Sequence, residues 1–169
     1  MKLSELMSGV TPKADYEGWA TNDDFILAID LTPGAAVATK TSEYGVVQLG
    51  VQGLDAQMNP STADKVYIRA GQSTQKTGTQ RTFSVSGDRY IGDDVQDYIF
   101  GHDIKYGTGN KVITNYVYFC MLTGKGEKGQ VSIIVNSDGS GNAGDSSSID
   151  VELKKVGSAP TEYTYNAEG

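Results

Sequence analysis

Residues able to do chemistry are sparse in this chain. It holds one histidine, His102, and one cysteine, Cys120. No Cys/His zinc site can be built from that pair within one copy, and no internal disulfide can form. Asp103 beside His102 could orient an imidazole, but adjacency in sequence is not triad geometry. The simpler expectation puts His102 just after a helix stop, as a partner for the C-terminal end of the helix dipole. Gly124-Lys125-Gly126-Glu127-Lys128-Gly129 matches GxGxxG literally, yet a dinucleotide site needs a helix N-terminus behind those glycines. A β-branched strand follows instead, which predicts a hairpin loop and no nucleotide. Asp138, Asn142 and Asp145 lie in a Gly-rich run with oxygen ligands suited to calcium. The EF-hand spacing is absent and no glutamate closes the loop, so a turn is expected and calcium stays the open alternative. No catalytic, cofactor or metal site is therefore expected, and the chain does not read as an enzyme.

The ten tyrosines and Trp19 could stack on bases or sugars. That role needs basic neighbours, and the 169-residue chain carries 21 acidic against 14 basic residues, a net charge of −7. Nucleic-acid modules take most of their affinity from Lys and Arg on phosphates, so this balance argues against one. Tyr116 and Tyr118 share a strand face, which suits packing inside a subunit or at a protein interface. Acidity keeps a free subunit soluble and would repel DNA from a surface it coats.

Elements that would position these residues are mostly strands. Glycine numbers 21 and only 38% of the chain is apolar, a balance that favours turn-rich β structure over a helical bundle. Phe25 to Leu31, Val47 to Met58, Val66 to Ile68, Thr82 to Ser86, Lys111 to Leu122, Gln130 to Asn136 and Ile149 to Lys154 read as strands. In the second of these the apolar phase shifts after Gly53, from Val47, Leu49 and Val51 to Leu54, Ala56 and Met58, the mark of a β-bulge. One helix is expected near 93–101. Asp93 caps it, Gln96 completes a capping box, Val95, Tyr98 and Ile99 face a sheet, and Gly101 stops it. The expected architecture is mainly β: a single domain, 1–169, forming a two-sheet antiparallel β sandwich or flattened barrel with one flanking α-helix.

Four segments read as mobile: an N-terminal arm 1–22, a long polar loop of about 59–80, a flexible loop 137–147 and a C-terminal arm 157–169. Glu5 interrupts any signal-peptide core, and no apolar stretch approaches the roughly 18 residues of a membrane helix. The surroundings of Cys120 read as a buried strand in a reducing compartment.

The pattern from Gly50-Val51-Gln52-Gly53-Leu54-Asp55-Ala56-Gln57-Met58-Asn59-Pro60, through Tyr67-Ile68 and Lys76-Thr77-Gly78, to Phe83-Ser84-Val85-Ser86-Gly87-Asp88 and Tyr90 to Ile99 resembles the major tail proteins, or tail tube proteins, of long-tailed bacteriophages and prophages of Gram-positive bacteria. Ser137-Asp138-Gly139-Ser140-Gly141 and Ile149-Asp150-Val151 extend the resemblance to about two thirds of the chain, while residues 1–40 carry little of it. The motifs are structural, so their order and spacing carry the likeness.

That resemblance implies a structural virion protein whose hexameric rings stack into a tail tube around a lumen, through which double-stranded DNA passes without tight binding. It implies as partners a tape measure protein in the lumen, and a tail terminator and tail-tip or baseplate proteins at the ends. Assembly would occur in the host cytoplasm, and the virion tail would be the final location, with no membrane involved. Asn59, Tyr67, Gly71, Lys76, Gly78 and Arg81 would then belong to an inter-ring loop, and Leu3, Leu6, Tyr16, Trp19, Tyr163 and Tyr165 to arms reaching a neighbour. The competing readings are a monomeric β-sandwich decoration or ligand-binding module and the tube subunit of a phage-derived injection particle.

Overall fold

A computed structural model describes residues 1–169. Seven strands form one antiparallel sheet: β1 (Phe25–Ile29), β2 (Gly45–Val46), β3 (Val51–Gln57), β6 (Thr82–Asp88), β7 (Ile113–Cys120), β8 (Lys125–Ser137) and β9 (Ser148–Thr164), in the spatial order β2-β1-β7-β8-β9-β6-β3. β4 (Pro60–Tyr67) and β5 (Gly71–Thr79) pair only with each other. The sheet is curled. Phe83 on β6 and Tyr118 on β7 are three places apart in strand order, yet their rings lie 5.0 Å apart across the interior. The two expected layers are thus two halves of one sheet bent into a flattened, incomplete barrel.

Alternation along each strand explains the curl. Leu27 and Ile29, Tyr116, Val131 and Ile133, Val151 and Leu153, and Phe83 and Val85 point to one face and form a common core. The two concave halves bury that face against each other. Bulges re-aim the long strands where they bend: β3 slips register between Val51 and Gly53, and β8 and β9 slip between Lys128 and Gln130 and between Val135 and Ser137. The first of these matches the phase shift seen in the sequence.

Three short helices complete the chain: α1 (Leu3–Leu6), α2 (Asp94–Ile99) and α3 (His102–Tyr106). Val95, Ile99, Phe100 and Ile104 of the α2–α3 unit close the main core. Asp93 caps α2 as expected, its Oδ2 accepting from the Gln96 backbone N–H at 3.1 Å. Two expectations are corrected here. The Gln96 side chain does not reach back to its cap; it donates to the carbonyls of Leu49 (2.7 Å) and Asp88 (3.1 Å) and accepts from the Tyr90 N–H (2.9 Å). A buried amide satisfies itself best by tying three chain segments together, and that tertiary use outweighs the local box. Gly101 follows the end of α2 as expected but also starts α3, so His102 lies in the first turn of a second helix, exposed and against the Tyr106 ring, rather than acting at a helix C-terminus.

A second, smaller core lies on the outer face of β1, β2 and β7. Leu3 and Met7 pack there on Ile26, Ala28, Val46, Val117 and Phe119. The expected N-terminal arm is therefore docked at its root: the Leu3 N–H donates to the Tyr44 carbonyl at 2.8 Å, and Val46 donates to Met1 at 3.0 Å. The expected C-terminal arm is likewise strand up to Thr164. Tyr163 and Tyr165 of that strand end lie over Phe119, with ring centroids 5.6 Å away in each case. Gly126 pairs with Phe119 on one side and Tyr163 on the other, and a Cβ there would fall 2.0 Å from the Tyr118 carbonyl oxygen. The GxGxxG match is thus explained by strand packing: Gly124 turns the chain with φ +72°, while Gly126 and Gly129 lie within β8.

Candidate functional site

Two surfaces stand out because the fold builds them and nothing in the chain covers them. The first is the outer face of β3, β6, β9 and β8. Residues that alternate with the core point outward here, and all but Ile134 are polar, with Thr82 alone among them buried. Asp55, Ser84, Glu152 and Ile134 form one cross-strand row; Gln57, Thr82, Lys154 and Ser132 form the next; Ser86 and Asp150 pair in a third. Only one cation, Lys154, stands among Asp55, Asp150 and Glu152, and its Nζ is 3.4 Å from Glu152. A four-stranded polar face of this kind is at ease in water. It carries no deep cavity and no metal-ligating group of three.

The second surface is the β4–β5 hairpin. The polar run expected as a loop of about 59–80 is strand, paired from Pro60↔Thr79 to Tyr67↔Gly71 with one register shift between Ser61 and Thr62. Asn59 at φ +43° starts it, and Arg69 (+66°) and Gly71 (+72°) turn its tip. Eight residues at about 3.3 Å each extend it about 26 Å. An isolated two-stranded hairpin is marginal in water, and here both its faces are exposed. Its tip is apolar: Val66 is 80% and Ile68 89% exposed, with Tyr67 beside them.

Other sequence-assigned residues are distributed as follows. Asn59, Tyr67, Gly71, Lys76 and Gly78 are on the hairpin. Arg81 is not: it is buried at the hairpin root, which corrects its placement in an exposed loop. Its guanidinium lies over the rings of Phe83 (4.7 Å) and Tyr118 (5.0 Å), and its Nε approaches Glu127 Oε1 at 2.6 Å. Arg is suited to this because its planar, weakly hydrated group stacks on aromatics. The pair is close but poorly aligned as a hydrogen bond, and the Tyr116 hydroxyl beside it also lacks a partner. Burial and the Glu127 carboxylate push the Tyr116 phenol well above its ordinary range.

Among the arm residues, Leu3 and Tyr163 are buried and Leu6 and Tyr165 half-buried, so they belong to the subunit's own packing. Tyr16 is exposed and Trp19 is 97% exposed, in the segment between α1 and β1. Tyr98, with Val95 and Ile99, packs on the main core as expected. The 137–147 loop is tied at its base, with Lys105 Nζ to Asp138 at 2.9 Å and the Ser148 N–H to the Ser140 carbonyl at 2.8 Å. The Lys105 ammonium holds the Asp138 carboxyl below its ordinary range. Asp145 accepts from the Asn142 N–H at 3.3 Å.

Sequence reasoning placed Tyr67 and Gly71 in an inter-ring loop but missed the bare Val66 and Ile68 at its tip and the polar sheet face. The tip signal was present in Val66-Tyr67-Ile68, whose apolar character has no core to enter. The face needed cross-strand register, which no single segment encodes.

No protein-family model matches the chain, and no curated protein matches it by sequence. Solved structures do match by shape. A chain from the tail of an empty gene transfer agent particle, refined with helical and C6 symmetry, aligns over 87% of this chain and 100% of its own length, at 15% identity and a TM-score of 0.57. A chain from the virion of the native gene transfer agent particle aligns over 86% of this chain and 100% of its own, at 13% identity and a TM-score of 0.55. A sheath-tube complex of an extracellular contractile injection system covers 95% of this chain at 11% identity, with a TM-score of 0.46, too low to assign a shared fold. At these identities the first two likenesses are of fold, shared with the particle-tail chain over 87% of this chain.

Proposed function

We propose that this chain is a tail tube subunit, a structural virion protein that acts by polymerising into stacked hexameric rings around a lumen. The observation that carries the reading is the fold it has in common with a chain from a tail of C6 symmetry. The hairpin with its bare apolar tip supports it, since a monomer has little use for exposed Val66 and Ile68. In this reading the polar outer face of β3, β6, β9 and β8 lines the lumen. Double-stranded DNA bears one charge per roughly 1.7 Å, so a basic lining would trap it. Asp55, Asp150 and Glu152 would let it slide. A tape measure protein would fill the lumen before DNA, and terminator and tip proteins would cap the ends. Assembly would take place in the host cytoplasm and the product would be the virion tail of a long-tailed phage or a related particle.

The test is charge reversal of that face. Replacing Asp55, Asp150 and Glu152 together by lysine should leave tubes of normal length in electron micrographs and impair DNA delivery. Undiminished delivery by such particles would show that the face does not line the lumen. A wild-type chain that forms no tube would remove the proposal itself.

A further inference from the structure

Two chain crossings join the hairpin to the body of the subunit. It leaves β3 through Met58 and Asn59 and returns to β6 through Gln80 and Arg81, and its strands pair only with each other. Its own side-chain hydrogen bonds, Thr74 to Asp64 and Gln75 to Tyr67, stay within it. A rod about 26 Å long that is held only at its base is a lever. A change of about 10° at the root would carry the tip about 4–5 Å, close to the spacing between neighbouring strands. A subunit that docks through such a rod must fix its angle closely.

At the root, the contacts that could fix it converge on Arg81. Its carbonyl accepts from the Lys155 N–H of β9 at 2.9 Å, and the neighbouring Gln80 side chain donates to the Lys155 carbonyl at 3.0 Å. Arg81 Nη1 donates to Met58 Sδ at 2.9 Å, so one side chain spans both crossings. The same guanidinium is held inside the curled sheet by the Phe83 and Tyr118 rings and by Glu127.

Stability alone does not account for burying this group. Well-packed apolar side chains of similar volume are often as stabilising as a buried ion pair, or more so. This pair is also poorly served: Arg81 Nε, Glu127 Oε1 and Tyr116 Oη are buried and lack an aligned hydrogen bond. What an apolar side chain could not supply is a donor that reaches Met58 from a fixed point in the core.

Resting on the tube reading, we infer that Arg81 is a positioning residue for assembly: held by Glu127, Phe83 and Tyr118 and bonded to Met58, it sets the angle at which the hairpin leaves the body. The angle is set within one copy, so a free subunit presents its hairpin already aimed. Preorganisation of this kind reduces the ordering that docking would otherwise require.

The test separates angle from stability. Arg81→Met with Glu127→Gln removes both charges and the donor. Met58→Leu removes only the acceptor, at a half-exposed position, and leaves the buried pair in place. Spin labels on Gln72→Cys in the hairpin and Thr161→Cys on β9, both exposed sites, report the angle in dilute monomers of a Cys120→Ser chain. With Arg81, Glu127 and Met58 intact the labels should give one narrow distance, and both variants should lose it to a broad distribution. The double variant should raise the concentration needed for assembly about tenfold, and Met58→Leu should raise it in the same direction, at denaturation midpoints near that of the parent chain. A role in stability alone would leave the distance narrow. An unchanged distance or assembly concentration in either variant would overturn the positioning role and leave the tube reading intact; Met58→Leu decides alone if the double variant does not fold. A parent chain that assembled under no condition would overturn the tube reading, and the distance measurement would still decide what sets the angle.

Discussion

Arg81 shows how a single side chain can mislead when only its neighbours in sequence are known. It follows a long polar run, Gly71 to Gln80, and its own charge suggests surface. In the fold it is 8% exposed, lying against the rings of Phe83 and Tyr118 and facing Glu127. Those partners come from β6, β7 and β8, and only the curl of the sheet brings them together. Removing one member of a buried pair strands the other, at a cost of about 2–4 kcal/mol. Arg81→Ala should therefore lower chemical-denaturation stability by about that amount, and Arg81→Met with Glu127→Gln should recover most of it. An unchanged midpoint for Arg81→Ala would mean that water already screens the pair.

Tyr44 gives a second prediction at this scale. Burial, then the nearby Asp30 carboxylate, raises its phenol from 10.0 to about 12. The folded state holds this proton more tightly than the unfolded chain does. The contribution is present in full below pH 10 and is lost as pH rises from 10 through 12, at most about 2–3 kcal/mol from this one group. Tyr98, Tyr116, Tyr118 and Tyr163 are shifted the same way, chiefly by burial. Thermal melts between pH 9 and 12 should show a falling midpoint. Tyr44→Phe, which cannot ionise, should flatten that fall, and a wild-type midpoint constant to pH 12 would refute the assignment.

At the scale of elements, legibility followed locality. The α2 cap was readable because Asp93 and the Gln96 N–H it serves are three residues apart. The β3 bulge was readable because a phase slip is visible along one strand. The strand pairing within the hairpin was not. Its strands have no apolar face, so alternation gives no signal, and their pairing satisfies backbone groups rather than burying side chains. The end of β9 was missed because Gly157-Ser158-Ala159-Pro160 reads as a turn; those four residues bulge out of the ladder, and pairing with β8 resumes at Thr161, opposite Lys128. Because β4 and β5 pair only with each other, the hairpin should be separable from the fold. Deleting Gly71 to Thr79 should leave a monomer with unchanged near-UV circular dichroism that does not stack. Tubes of normal length from the deletion variant would show that the hairpin is not the stacking element.

On the scale of the whole molecule, the sheet has two functional sides. Its concave face is core, and its convex face divides into a half covered by Leu3, Met7 and Tyr163 and a half left polar and open. Charge divides too, with a cationic hairpin on an anionic body. The molecule places its distinctive groups on an exposed hairpin and an exposed sheet face, the surfaces on which the proposed tube reading draws.

Electron microscopy of the purified full-length chain at high concentration tests that claim most directly. The account predicts six-fold rings and hollow filaments built by stacking them. Featureless monomers persisting at every concentration would contradict it.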